Sequence, residues 1–265
     1  YTRMSHHSPH SGYDRITGYI PSRIQRPNLI HTLLGLLPER VLGRLRKSAG
    51  PWYNSTALKQ EAQAAARLFF AKYSLCHFLY GEDAFHYTGY WAFGGSNRLV
   101  ATYHMPPEKF CAINQGTQHL RTLDGVIIVA PNQEQLFKNL VPSERVHLIP
   151  HGVDTQFFHP RKTAQRKKKQ CLFVGSHLRD FQMLRQVMQG MSSRDRDISF
   201  AVVTQQEHFR HFNGLQRVSL FSAIDEEQLV HLYATSALLL LPLLDATANN
   251  TMLEAMACGL PVVAT

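Results

Sequence analysis

The second half of the chain alternates short apolar runs with segments of helical periodicity. Apolar runs at residues 172–174, 198–203, 218–221, 238–241 and 262–263 predict five strands. Apart from Ser199 and Ser219, these runs are apolar at consecutive positions, as expected for strands that are buried on both faces of a sheet. Strands of this kind, separated by helices, indicate a parallel sheet of the doubly wound type.

Helix signals lie between these strands. Residues 180–191 place apolar side chains at helical spacing, and the acidic residues 225–227 favour a helix start because they complement the positive end of the helix dipole. A third helix is expected to begin after Thr247 or Asn249, since either can cap it, and to end at Gly259.

The first half is less regular but also predicts α/β structure. Four strands are expected at residues 75–80, 99–103, 126–130 and 145–149, and two helices at residues 11–20 and 134–140. No strand precedes Ser5, so the first strand of this half is missing or reduced to residues 1–4.

Two domains follow from this pattern. A polar, basic segment, residues 159–170, is the expected hinge between an N-terminal domain, residues 1–158, and a C-terminal domain, residues 171–265. We expect an α/β fold in which two Rossmann-like, doubly wound domains face each other across a cleft. The sequence stops at Thr265, in or just after a strand, so the C-terminal domain is expected to be incomplete.

Composition and charge narrow the class of protein. With 44% hydrophobic and 18% charged residues the chain is globular, and its net charge of +9 indicates an anionic partner. The basic residues are dispersed except at residues 161–169 and accompany no nucleic-acid-binding motif. We therefore expect no nucleic-acid partner, and interpret residues 166–169 as a solvated linker.

Compartment and metal content are predicted from the cysteines and the apolar runs. The four cysteines are widely spaced without a CxxC pair, which argues against a disulfide framework or a zinc site and favours a reducing cytoplasm. No apolar run reaches the roughly 18 residues of a membrane span, and no signal peptide is evident. A cytoplasmic protein is expected.

Residues 247–259, TANNTMLEAMACG, carry the most informative chemistry. A polar loop leads into a helix at the carboxyl end of a strand, so the amides of Asn249, Asn250 and Thr251 can hold a phosphate or sugar hydroxyls. Glu254, one turn further, can accept two hydrogen bonds from a ribose. The alternative is an ordinary capped amphipathic helix in which Glu254 is solvated.

The longer segment LLLLPLLDATANNTMLEAMACGLPVVAT, residues 238–265, closely resembles the donor site of the group 1 glycosyltransferases, a retaining family with the GT-B fold. The family motif has two glutamates eight positions apart, and Glu254 matches the second, which binds the ribose of the nucleotide. The first position, which contacts the transferred sugar, is Ala246 here. The resemblance implies that Asp245 substitutes from a shifted position, that the donor is held differently, or that activity is altered. VHLIPHGVDTQFFHP, residues 146–160, independently resembles the family's hinge.

LFVGSHLR, residues 172–179, resembles the strand and loop that open the donor domain, where two basic residues bind the diphosphate. Arg179 takes the place of the usual lysine. The family's arginine, which comes just after the glycine, is replaced in this chain by Ser176 or His177, which follow Gly175. A guanidinium can bridge two phosphate oxygens, with His177 assisting. The alternative is an exposed arginine at a helix start.

The first domain offers fewer candidates. Ser11 and Gly12 lie in HHSPHSGYDR, which resembles the family's loop after the first strand, where small residues let the backbone approach the donor phosphate. His104, in VATYHMPP, falls where the family has a histidine that reaches the transferred sugar, or is simply packed at a strand end. The loop histidines, His6, His7 and His10, lack acids or cysteines at fixed spacing, so no metal site is expected.

Residues 29–47 alternate leucines with arginines and a lysine. They form either a basic amphipathic surface that rests on an anionic membrane or a core-facing helix pair with a solvated edge.

The resemblance implies a glycosyltransferase that moves a sugar, with retention, from a nucleotide diphosphate sugar to a hydroxyl acceptor, such as a glycan or glycolipid in cell-surface polysaccharide synthesis. No metal or other cofactor is expected. The alternatives are an epimerase or phosphorylase of the same fold, or a nucleotide-sugar-binding protein that lost catalysis with Ala246.

Overall fold

The computed structural model describes residues 10, 12–21, 32, 39–92, 96–114, 116–162 and 164–265. The chain divides into two compact units: Tyr13–His151 belongs to the N-terminal unit, and Gly152–Thr265, together with His10 and Gly12, to the C-terminal unit. The boundary lies earlier than the sequence pattern placed it because Phe158 is fully buried in the core of the C-terminal unit.

The N-terminal unit contains a parallel sheet in the order β1-β2-β3-β4. Its strands are β1 (Leu75–Phe78), β2 (Arg98–Tyr103), β3 (Gly125–Ile128) and β4 (Val146–Leu148). Its α-helices are α1 (Glu39–Ala49), α2 (Ser55–Phe70), α3 (Gly81–Ala84), α4 (Thr88–Trp91), α5 (Pro107–Ile113) and α6 (Glu134–Leu140). Shorter 3₁₀ helices span Tyr13–Gly18, Gln118–Thr122, Pro131–Gln133 and Ser143–Arg145.

The helix expected at residues 11–20 is a 3₁₀ helix of six residues, Tyr13–Gly18. It is short because Gly18 and Pro21 disfavour its continuation. Ser11 and the possible first strand at residues 1–4 lie outside the described residues.

The C-terminal unit contains a parallel sheet in the order β7-β6-β5-β8-β9. Its strands are β5 (Gln170–Val174), β6 (Ser199–Val203), β7 (Val218–Phe221), β8 (Leu238–Leu241) and β9 (Val262–Ala264). The connecting helices are α7 (Phe181–Arg194), α8 (Glu226–Thr235) and α9 (Asn250–Ala257), with a 3₁₀ helix at Gln206–Phe212. Every strand and helix predicted for this half is present.

The C-terminal sheet is buried on both faces. Cys171 and Phe173 of β5 pack in one apolar cluster, whereas their neighbours Leu172 and Val174 pack in another. Adjacent residues of a strand point to opposite faces, so the consecutive apolar run reflects two cores. The doubly wound prediction is confirmed for this unit.

The strand order identifies the ligand-binding edge of this sheet. From β5 the chain moves outward to β6 and β7, then returns to place β8 on the other side of β5. The loops that leave β5 and β8 therefore diverge at a topological switch point, where doubly wound sheets bind their ligands.

The segment expected to be a solvated linker is partly bound to the C-terminal unit. Arg166 donates hydrogen bonds to the carbonyl oxygens of Ser236 (3.0 Å) and Gly259 (2.6 Å), which follow the ends of α8 and α9. Arg166 is exposed, as expected for a solvated segment, but its guanidinium also supplies donors to carbonyls at two helix ends. None of the helices that the structure describes is both long and apolar enough to span a bilayer.

Candidate functional site

The loop after β5 begins at a glycine that the geometry requires. Gly175 has a positive φ of 105°, and a Cβ atom there would lie 2.7 Å from Nη2 of Arg179. Thr204, at the end of β6, supports the turn by donating to the Gly175 carbonyl at 3.0 Å. The guanidinium can lie against this turn only because residue 175 has no side chain.

Arg179 is held firmly at this turn. Its Nε donates to the carbonyl of Val174 (3.2 Å), its Nη1 to the carbonyl of His177 (3.0 Å) and its Nη2 to Oγ1 of Thr251 (3.3 Å). Burial lowers the pKa of Arg179 to about 10, so the group remains a cation at neutral pH. The exposed-arginine alternative is wrong. His177 is itself exposed and holds Arg179 through its carbonyl.

The loop after β8 is joined to the loop after β5. The Asp180 amide donates to the Pro242 carbonyl (3.1 Å), and the Leu244 amide donates to the Leu178 carbonyl (3.0 Å). Beyond this pairing, Asp245 is half-buried, and its Oδ1 accepts the amide of Ala246 at 2.7 Å. The backbone amide of Ala246 therefore holds the Asp245 carboxylate within this loop.

Asn249 is the N-cap of α9. Its buried side chain accepts the Met252 amide at 3.2 Å, so Asn249, and not Thr247, begins the helix. Asn250 and Thr251 form the first turn, and Thr251 contacts Arg179. The positive end of the helix dipole and a guanidinium thus lie side by side.

Glu254 is buried one turn further along α9, where its Oε2 accepts a hydrogen bond from the Tyr233 hydroxyl at 2.9 Å. The alternative of a solvated Glu254 is therefore wrong. Tyr233 was not singled out from the sequence. The available signal was a tyrosine on the apolar face of a predicted helix, since a buried phenol usually requires a hydrogen-bond partner.

The structure therefore unites Gly175, Arg179, Thr251 and Glu254 at the carboxyl edge of one sheet. A protonated guanidinium and a helix N-terminus suit a phosphate, and a carboxylate one turn away suits vicinal hydroxyls. This arrangement fits a ligand that is anionic at one end and hydroxylated at the other.

His104 lies in the N-terminal unit, just after β2. Its Nε2 is 2.7 Å from the Leu79 carbonyl, which can only accept, so Nε2 carries the proton. Burial lowers the pKa of His104 to about 4, and the ring is neutral at pH 7. Glu82 accepts the amides of His104 (2.5 Å) and Met105 (2.9 Å), which fixes the backbone here. A neutral, oriented imidazole can hydrogen-bond a sugar hydroxyl. The alternative is that His104 only packs at the end of β2.

Gly12 is buried in the C-terminal unit with a positive φ of 104°. Nearby, the His10 ring stacks on Phe157 at a centroid distance of 3.8 Å, and its Nδ1 lies 3.1 Å from Oδ2 of Asp154. His10 thus packs against the hinge-like segment. The other loop candidates, His6, His7 and Ser11, lie outside the described residues.

Comparison with known proteins shows what the chain is similar to in sequence and in fold. Residues 168–265 match the family model described as "Glycosyl transferases group 1". No curated protein matches the chain in sequence.

Solved structures share the fold at low sequence identity. Sucrose-phosphate synthase from Thermosynechococcus elongatus is 20% identical, with a TM-score of 0.59 over 79% of this chain and 60% of its own. The catalytic domain of starch synthase IV from Arabidopsis thaliana, bound to ADP and acarbose, is 14% identical, with a TM-score of 0.60 over 79% of this chain and 60% of its own. HepE from Anabaena, in complex with UDP and glucose, is 16% identical, with a TM-score of 0.57 over 81% and 65%.

The chain spans less than two thirds of the length of each of these structures. The chain therefore has a fold of the GT-B type, and its residues 168–265 are similar to the group 1 glycosyltransferases.

Proposed function

We propose that the protein transfers a sugar, with retention, from a nucleoside diphosphate sugar to a hydroxyl of a glycan or glycolipid acceptor in cell-surface polysaccharide synthesis. The observation that carries this proposal is the contact of Arg179 with Thr251, which places a cation at the N-terminus of α9, the helix that presents Glu254. The ligands named for the Arabidopsis and Anabaena proteins, ADP and UDP, support the same class of donor.

The chemistry follows from where charge develops. As the glycosidic bond breaks, the leaving diphosphate gains negative charge, which Arg179 and the first turn of α9 stabilise. Glu254 holds the ribose, and His104 and Asp245 are assigned to the transferred sugar, as the resemblance implies. Because protein groups supply the charge, the scheme needs no metal, and we expect turnover to survive a chelator.

The test is an activity assay with UDP-glucose, GDP-mannose and ADP-glucose in the presence of lipid-linked and free sugar acceptors. We expect release of nucleoside diphosphate from one donor, with the anomeric configuration kept in the product by NMR, and a loss of about a hundredfold in Arg179→Ala. Phosphate-dependent release of sugar phosphate would instead indicate a phosphorylase, and interconversion of donors an epimerase.

Ala246 favours a second candidate, a nucleotide-sugar-binding protein without transferase activity, because it replaces the glutamate of the family motif. Such a protein binds a nucleotide sugar but neither transfers nor hydrolyses the sugar. Ala246→Glu restores the family residue, so activity that appears only in this variant would select the second candidate.

We also propose that the protein works at the cytoplasmic face of a membrane. Of residues 29–47, the structure describes Thr32 and those in α1, where Arg40, Arg44 and Lys47 are exposed and Leu42 is buried. A basic helix face is suited to anionic headgroups. Cosedimentation with phosphatidylglycerol vesicles, lost in Arg40→Glu/Arg44→Glu and absent with phosphatidylcholine, is the expected result. Equal binding of both proteins would contradict it.

A further inference from the structure

We propose that Tyr233 is a positioning residue of the donor site, which fixes the carboxylate of Glu254 for ribose binding. This inference rests on the function proposed above, because it assigns a task to Glu254. Tyr233 is fully buried, so it acts on a ligand only through its neighbours.

Side chains of α9 make two hydrogen bonds in the proposed site. Nη2 of Arg179 donates to Oγ1 of Thr251 at 3.3 Å, and the Tyr233 hydroxyl donates to Oε2 of Glu254 at 2.9 Å. Thr251 and Glu254 both belong to α9, so one helix carries the contact on the phosphate side of the proposed site and the contact on its ribose side.

The direction of these hydrogen bonds follows from the chemistry of the groups. A guanidinium only donates and a carboxylate only accepts, so the Thr251 hydroxyl accepts from Arg179 and the Tyr233 hydroxyl donates to Glu254. Each bond has one charged partner, and such hydrogen bonds are stronger than those between neutral groups.

The phenol is held rigidly enough to orient the carboxylate. Tyr233 lies on α8, in the same apolar cluster as Phe158, and the two rings meet edge to face at 6.4 Å. Glu254 lies on α9, so the hydrogen bond ties together two helices that pack on the same sheet face. Without it, Glu254 is a buried carboxylate that has lost a donor, and its orientation is less well defined.

The experiment compares Tyr233→Phe with the unmodified chain in calorimetric titrations with UDP, GDP and ADP, followed by the 2′,3′-dideoxy form of the nucleotide that binds. We expect Tyr233→Phe to weaken the ribonucleotide about tenfold, the value of one hydrogen bond to a charged group. The dideoxy form lacks the hydroxyls that Glu254 binds, so its affinity should change by less than about twofold.

A matched control is Tyr53→Phe. Tyr53 also donates to a buried carboxylate, Glu61, but in the N-terminal unit. We expect this variant to lose stability in the same way without any change in nucleotide affinity.

Equal weakening of the ribo and dideoxy forms by Tyr233→Phe, or no weakening of either, would overturn the proposal, because a purely structural tyrosine does not discriminate between them. If the unmodified chain binds none of the three nucleotides, the proposed function itself fails, and the role of Tyr233 fails with it.

Discussion

Gly175 and Arg179 are interdependent at the scale of single residues. We predict that Gly175→Ala destabilises the protein by at least about 1 kcal/mol, because alanine is strained at a positive φ, and that it weakens diphosphate binding, because the new Cβ displaces the guanidinium. Urea denaturation measures the loss of stability, and calorimetric titration with the nucleotide that the chain binds measures the loss of affinity.

The control is Gly190→Ala in the same unit. Gly190 lies inside α7 with nothing within 4 Å of an added Cβ, so alanine should stabilise the helix by up to about 1 kcal/mol and leave binding unchanged. A Gly175→Ala protein that binds like the unmodified chain would refute the packing argument.

His119 makes the stability of the N-terminal unit depend on pH. Both ring nitrogens are buried without a hydrogen-bond partner among the described residues, and burial, with a smaller effect of His86, lowers the pKa of His119 to about 3. The folded state therefore binds fewer protons than the unfolded state below pH 6.5, and stability falls as the pH drops toward 3.

We predict that His119→Phe gains stability relative to the unmodified chain as the pH falls from 7 to 5. The expected change is on the order of 2 kcal/mol, and the pH-independent packing difference cancels in the comparison. Denaturant titrations at both pH values measure it. A difference that stays constant with pH would show that the imidazole titrates normally.

At the scale of elements, the first turn of α9 depends on Asn249. We predict that Asn249→Ala costs about 1 kcal/mol of stability and weakens nucleotide binding, since a frayed first turn no longer presents Thr251. Asn54→Ala removes the same kind of cap from α2, where Asn54 accepts the Ala57 amide at 2.9 Å. It should cost similar stability and no affinity, and an affinity loss in both variants would contradict a local role.

Arg166 hydrogen-bonds carbonyls at the C-terminal ends of two helices of the same unit. Arg166→Ala removes donors from the carbonyls that follow α8 and α9, and we predict a loss of about 1 kcal/mol in denaturation experiments. Lys168→Ala, which changes an exposed residue of the same segment, should have no measurable effect. Similar stability in the two variants would show that the hydrogen bonds of Arg166 do not stabilise the unit.

The C-terminal elements were predictable because their strands are mostly apolar and their helices carry caps such as Asp180 and Asp225. Helix α2 was missed because its buried face mixes alanines with Glu61 and Gln63. Glu61 accepts the amides of His86, Tyr87 and Thr88 and the Tyr53 hydroxyl, partners that are remote in sequence. Periodicity cannot indicate a polar residue that is buried for such tertiary reasons.

The candidate site was predictable where residues are contiguous with a motif. Asn249, Thr251 and Glu254 follow from one segment, and Arg179 from another. The hydrogen bond between Tyr233 and Glu254 was not predictable, because it depends on how α8 packs against α9.

At the scale of the whole molecule, we propose that the C-terminal unit binds a nucleoside diphosphate sugar at the carboxyl edge of β5 and β8. The net charge of +9 favours such an anionic ligand but does not locate it. The location depends on the half-buried guanidinium, the capped helix and the buried carboxylate, all of which lie in this unit.

The most direct test is calorimetric titration of the chain and its Glu254→Ala variant with UDP, GDP and ADP. We expect micromolar binding of one nucleotide to the unmodified chain and loss of that binding in the Glu254→Ala variant. Absence of binding for all three nucleotides, or equal binding by both proteins, would contradict it.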